Sequence, residues 1–186
     1  MDDTTVSIIG ILIGAILMFI APLIMIADRT DDLSQLSVQT FTTSFVDGII
    51  KTGKITSDSY QDYISALNST GNTYDVNIEI KILDENTAQK YTVNSPNGEL
   101  GPNTYYSIFT TQIEDRLAKS DSEDDGILNE TGKIILKEGD IISVTAKNSS
   151  KTISQSLKSV YYTIKGDDLH IIAATGTGTI AINGAT

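Results

Sequence analysis

The residues with the strongest claim to chemistry in this sequence are acidic. Ser120-Asp-Ser-Glu-Asp-Asp-Gly126 sets Asp121, Glu123 and Asp125 at alternate positions and follows them with Gly126. That is the first half of an EF-hand loop, which takes oxygen ligands at positions 1, 3 and 5, glycine at 6 and a bidentate Glu at 12. The twelfth position here is Gly132, so the closing ligand is missing. The stretch reads as a solvated loop. Asp121, Glu123 and Asp125 are its candidate metal ligands, for a low-affinity calcium ion, and no other cofactor is expected.

Other chemistry is sparse. His170 is the single His, and it sits in the apolar run Leu169-His-Ile-Ile172. With no Cys in the chain, the usual zinc ligand sets and disulfides are excluded. No Gly-x-Ser-x-Gly elbow and no phosphate-binding Walker loop occurs. Gly176-x-Gly178 lacks a third glycine and a following helix, so it reads as a turn. The adjacent carboxylates Asp31-Asp32 and Asp124-Asp125 do not by themselves set an acid across a substrate from a base. The sequence is not that of an enzyme by any recognisable motif.

The elements that must carry these residues begin with an uncharged run from Val6 to Ala27, 22 residues long. As a helix it is roughly 30 Å long, the thickness of a bilayer's hydrocarbon core. Residues 1–5 form a short tail before it. That tail, Met1-Asp-Asp-Thr-Thr5, has no basic residue, and the apolar run is longer than a signal-peptide core. An uncleaved single-pass anchor is therefore expected, with the lipid bilayer as its first partner. Gly10 and Gly14 are small residues spaced by four, a spacing that lets helix backbones approach in lipid, so this face is the candidate for association with other subunits, including copies of the chain itself. Pro22 removes a helix hydrogen bond and is expected to kink the span.

Charge bounds the other partners. The net charge is −11, with 13 basic and 24 acidic residues and no basic stripe, so nucleic acid is not a partner. Arg29 is the one basic residue close to the span, too little to orient it by the positive-inside rule. The long, polar, Cys-free remainder is expected outside the cell membrane.

After the span, Asp28-Arg-Thr-Asp-Asp32 reads as a solvated collar. Leu33, Leu36, Phe41, Phe45 and Ile49 then continue at helical spacing, so one helix is predicted from about Thr4 to Lys51, with residues 28–51 as an amphipathic continuation packed on the domain. Residues 52–186 are expected to form an α+β domain: a mainly antiparallel sheet with one to three short helices. Thr56–Leu67 is a short helix capped by Thr56 or Ser57 and stopped by Gly71. Tyr74–Leu83 alternates apolar and polar residues and is a half-buried strand, whose Val76, Ile78, Ile80 and Ile82 should cover the helix stripe. A strand is predicted near Tyr105–Thr111 and a helix over Gln112–Lys119. Lys133–Leu136 and Asp140–Lys147 read as two strands joined in a hairpin. Thr152 with Gln155 reads as a capping box opening a helix to about Tyr162. Asp168–Ala174 and Thr179–Asn183 read as a last hairpin around Gly176 and Gly178.

The apolar helix with Pro22, its amphipathic continuation and the α+β head resemble the type IV pilin class and the single-span Tad-type pseudopilins. The stretch Phe45-Val-Asp-Gly-Ile-Ile-Lys-Thr-Gly-Lys-Ile-Thr56, with Gly71-Asn-Thr-Tyr-Asp75, resembles membrane proteins of anaerobic Gram-positive bacteria that are Tad-like in character. The resemblance implies a membrane-anchored pilin-like or secretion-accessory subunit acting through helix association and an external head. Pilins carry a basic leader and an acidic residue near the start of the mature helix; here Asp2 and Asp3 precede the span and position 5 is Thr5. Those departures argue against prepilin-type processing and against incorporation into a true filament. The competing expectation is a tethered surface module that binds a ligand without forming filaments.

Overall fold

The computed structural model describes residues 3–83, 105–118, 132–157, 159 and 171–184. The fold is α+β: one long N-terminal helix, antiparallel sheets and a few short helices. Helix α1 runs from Asp3 to Thr52 without a break, 50 residues, and remains helical through Pro22. It is long and apolar enough to cross a membrane, and its apolar window is not buried in the fold. From Ala27 onward one face is buried, at Ala27, Asp31, Ser34, Val38, Thr42, Phe45, Val46 and Ile49.

That face corrects the sequence reading. Phe45 and Ile49 are buried and Phe41 partly so, but Leu33 and Leu36 are each 65% exposed. Polar Asp31, Ser34 and Thr42 take the inward positions instead. The collar is not wholly solvated either, because Asp31 is buried.

Strand β1 (Lys54–Thr56) leads into α2 (Ser57–Asn68). Thr56 is the N-cap: its hydroxyl accepts from the Ser59 N–H, and Ser59 Oγ accepts from the Thr56 N–H, each at 3.1 Å. This reciprocal pairing satisfies two donors that a helix start otherwise leaves open. Strand β2 (Tyr74–Leu83) follows as predicted. Strand β3 is Tyr105–Phe109, α3 is Thr110–Ala118, β4 is Lys133–Ile135, β5 is Ile141–Asn148 and β6 is Ala173–Thr179.

The main sheet has four strands in the order β3-β2-β5-β6, all neighbours antiparallel. The register aligns Ile108, Ile80, Ile142 and Gly178 in one row, and Ile78, Val144 and Gly176 in the next. Ile78, Ile80, Ile142 and Val144 have almost no exposed surface and form the floor of the core. Burying each such side chain stabilises by about 1.5–3 kcal/mol. The alternate residues Asn77, Glu79, Ser143, Thr145, Thr175 and Thr177 face the other way, as period-two alternation requires.

Helix α1 covers this apolar face, but over β6 and β5 and not over β2 as the sequence suggested. Glycines make the approach possible. A Cβ on Gly176 would sit 3.0 Å from Val46 Cγ2, and one on Gly178 would run into Ile50 Cδ1. Both glycines lie inside the one strand β6, and the predicted turn there is not formed. Helix α3 buries Ile113 and Leu117 and lies against β2 and β4.

The predicted hairpin is also corrected. Lys137–Asp140 does turn, with the Asp140 N–H donating to the Lys137 carbonyl at 3.1 Å. The flanking strands nevertheless separate: β5 pairs with β2 and β6, while β4 pairs with β1 in a second, two-stranded sheet. Buried Asp140 locks the turn, accepting from the Leu83 N–H at 2.9 Å and the Lys137 N–H at 2.8 Å.

Candidate functional site

Two features of the described structure have functional shape: the seam where α1 leaves its apolar half and meets the head, and a groove between α1 and α2.

The seam is built from Asp28, Asp31, Gln35 and Gln39, spaced three, four and four residues apart and so aligned along one side of the helix. Ser154 Oγ donates to Asp28 Oδ1 in a short contact. Thr152 Oγ1 donates to Asp31 Oδ2 at 2.7 Å. Thr152 and Gln155 form the capping box read from the sequence: the Gln155 N–H donates to Thr152 Oγ1 and the Thr152 N–H donates to Gln155 Oε1, both at 3.1 Å. Residues 153–157 are helical. Two carboxylates of α1 thus hold the start of that helix.

Further along, Gln35 treats the edge of β6 as a neighbouring strand would. Its Nε2 donates to the Ala173 carbonyl at 2.6 Å and its Oε1 accepts from the Ala173 N–H at 3.0 Å. Gln39 Nε2 reaches the Thr175 carbonyl at 3.5 Å. These side chains occupy edge groups that would otherwise offer pairing to another chain. The far end of α1 is fixed as well. Gly53, at φ +63°, caps the helix with its N–H on the Ile49 carbonyl at 2.8 Å, and its own carbonyl accepts from the Leu136 N–H at 2.7 Å. Gly184 crosses directly over Gly53, leaving no room for a side chain on either.

The groove has a volume of about 400 Å³. Its floor is Phe41, Phe45, Ile49 and Tyr63, and Lys54 and Asp62 lie among its lining residues. Phe45 and Tyr63 stack face to face, with centroids 4.4 Å apart and planes 2° from parallel. Tyr63 OH and Thr42 Oγ1 are 2.9 Å apart and share a hydrogen bond. Burial pushes the pKa of the Tyr63 phenol up, and the Thr42 bond offsets part of that rise. Nearby, Tyr60 OH donates to Glu114 Oε1 at 2.6 Å; its partial burial first, and then that bond, push its pKa up too. The groove can take an apolar group. It holds no paired nucleophile and base.

Gly10 and Gly14 lie on the free half of α1, and nothing comes within 4 Å of a Cβ placed on either. Their spacing leaves a shallow strip open to a neighbour. Asp121, Glu123, Asp125 and His170 lie outside the described residues. Among the described residues no three His, Cys, Asp or Glu side chains gather to hold a metal, and no buried side-chain polar atom lacks a hydrogen-bond partner. Sequence reasoning missed Asp28, Asp31 and Gln35 as seam residues. The signal was present in their three-and-four spacing, but as a polar stripe, which on a helix otherwise marks a face turned to water. No protein-family model, curated protein or solved structure matches the chain.

Proposed function

We propose that the chain is a membrane-anchored subunit of pilin-like design, which associates through the apolar half of α1 and presents its α+β head outside the membrane. One observation carries this reading: a single uninterrupted helix is bare over its apolar half and hydrogen-bonded to the head over its second half. A helix so fixed transmits the position of the head to the span. Association of spans through a strip such as Gly10–Gly14 then arranges heads, as an assembly or secretion-accessory subunit requires. The test is self-association of the full chain in bilayers. Gly10→Ile combined with Gly14→Ile should reduce chemical cross-linking of the chain while leaving membrane insertion intact. Equal cross-linking of both forms would remove the glycine strip from the account.

The groove between α1 and α2 favours a second reading, a tethered module that binds an apolar ligand without assembling. Its volume and aromatic floor suit a side chain or small amphiphile. Co-purification separates the two: ordered multimers support assembly, whereas a monomer that retains an apolar ligand sensitive to Tyr63→Ala supports the module.

A further inference from the structure

The helix that begins at residue 153 is inside out for a soluble domain over its described first turns. Its polar start, Thr152, Ser154 and Gln155, is buried against α1, whereas Ile153 is 73% exposed and Leu157 40% exposed. Ile153 and Leu157 are four apart and share one helical face. Such an arrangement suits a surface that does not face water.

Its height along α1 says which surface. Ser154 is bonded to Asp28 and Thr152 to Asp31. Asp28 is the first residue beyond the apolar run that ends at Ala27. Asp31 lies about 4.5 Å beyond Asp28 along the axis at 1.5 Å per residue. The headgroup layer on each side of a bilayer is about 5–7 Å thick. The start of the 153–157 helix therefore lies at headgroup depth.

A second segment reaches the same depth independently. Ala173 is bonded to Gln35 and Thr175 to Gln39, so two strand residues match one turn of α1, about 6 Å. One more step back along that path brings Ile171 to the height of Asp31. The path is kept by Ile172, whose carbonyl accepts from the Asn148 N–H at 2.9 Å. Ile171 is 50% exposed.

We propose that Ile153, Leu157 and Ile171 form an apolar foot that inserts into the interfacial layer of the bilayer that α1 crosses, holding the head down on the membrane. The proposal rests on the reading of residues 6–27 as a span. The insertion is apolar in origin, since the chain is strongly acidic and gains nothing from anionic lipid.

The chain has no Trp, so single Trp variants of the full protein report their own surroundings. In phosphatidylcholine proteoliposomes, Phe19→Trp reports the span, Ile153→Trp the foot and Ser65→Trp, exposed on α2, the head. The expected result is that lipids brominated near the headgroup end of the acyl chain quench Ile153→Trp by about half, consistent with burial at interfacial depth. Ser65→Trp should be unaffected, and replacing part of the lipid with phosphatidylserine should not strengthen the quenching. If Phe19→Trp is quenched and Ile153→Trp is not, the span stands and the foot is overturned. If Phe19→Trp is also unquenched, the span itself fails and the foot falls with it. If the Ile153→Trp emission shifts to the blue without lipid quenching and with dependence on protein density, another protein surface covers the patch, and the lipid foot is overturned.

Discussion

Asp31, just past the apolar run of α1, accepts a 2.7 Å hydrogen bond from the hydroxyl of Thr152, 121 residues later in the chain. Both groups are buried, and the same Thr152 oxygen accepts from the Gln155 N–H. One hydroxyl therefore caps a helix and ties it to α1. Asp31→Ala leaves the Thr152 donor buried without its acceptor, at a cost of about 1–3 kcal/mol. Amide hydrogen exchange should quicken at residues 152–157 and stay unchanged in β2. Asp31→Asn keeps a carbonyl acceptor and should have a smaller effect. Equal exchange in Asp31→Ala and the parent would show that the seam is held by other contacts.

The two halves of the sequence-derived stripe on α1 should respond oppositely to truncation. Phe45→Ala removes a buried ring and its stack on Tyr63 and should cost about 3–5 kcal/mol. Leu36→Ala changes an exposed side chain and should stay within about 0.5 kcal/mol. Thermal unfolding of the full chain in detergent compares the two directly. A large loss at Leu36 would mean that this face is covered by the head.

Two glycines near the end of α1 give opposite signs. Gly48 lies in the helix with nothing within 4 Å of an added Cβ, so Gly48→Ala should stabilise by about 0.5–1 kcal/mol. Gly53 has φ +63° and meets the Gly184 backbone, so Gly53→Ala should destabilise by more than about 1 kcal/mol. Melting temperatures of the two variants check the pair. A Gly53→Ala protein as stable as its parent would remove the crossing with Gly184.

The buried Tyr63 and partly buried Tyr60 phenols predict an alkaline limit. Tyr60 and Tyr63 ionise in the folded chain above their ordinary value of 10.0, so the folded state holds these protons more tightly than the unfolded one. Their contribution is complete below that value and is lost as pH rises through the folded ionisation. Stability measured from about pH 8 to about pH 11.5 should fall at the alkaline end, and Tyr60→Phe should flatten that fall. An identical slope in the variant would assign the loss to other groups.

Much of the fold was legible where one physical signal dominated. The unbroken α1, the Thr56 cap and the alternation of β2 follow from hydrophobic period and side-chain capping. The capping box at Thr152 and Gln155 was equally plain. The face that α1 buries was not, because Asp31, Ser34 and Thr42 enter it through hydrogen bonds and close fit, while Leu33 and Leu36 remain outside. Gly176 and Gly178 suggested a turn, yet they serve as absent side chains under Val46 and Ile50. Lys137–Asp140 signalled a turn correctly, but a turn does not dictate that its flanking strands pair. Of the residues singled out on α1, Gly10 and Gly14 rest on their spacing in a long helix and Pro22 on the hydrogen bond it removes. The seam needed residues more than a hundred positions apart, which no local pattern links.

In the proposed reading α1 crosses the membrane with its apolar half and is fixed to an external head by the other. The chain has no Cys, so single Cys variants can be read with a membrane-impermeant maleimide on intact cells. Ser65→Cys, exposed on α2, should label readily, whereas Leu12→Cys and Phe19→Cys should stay unlabelled until detergent is added. Labelling of Leu12→Cys as fast as Ser65→Cys would contradict the span, and labelling of Ser65→Cys only after lysis would contradict the external head.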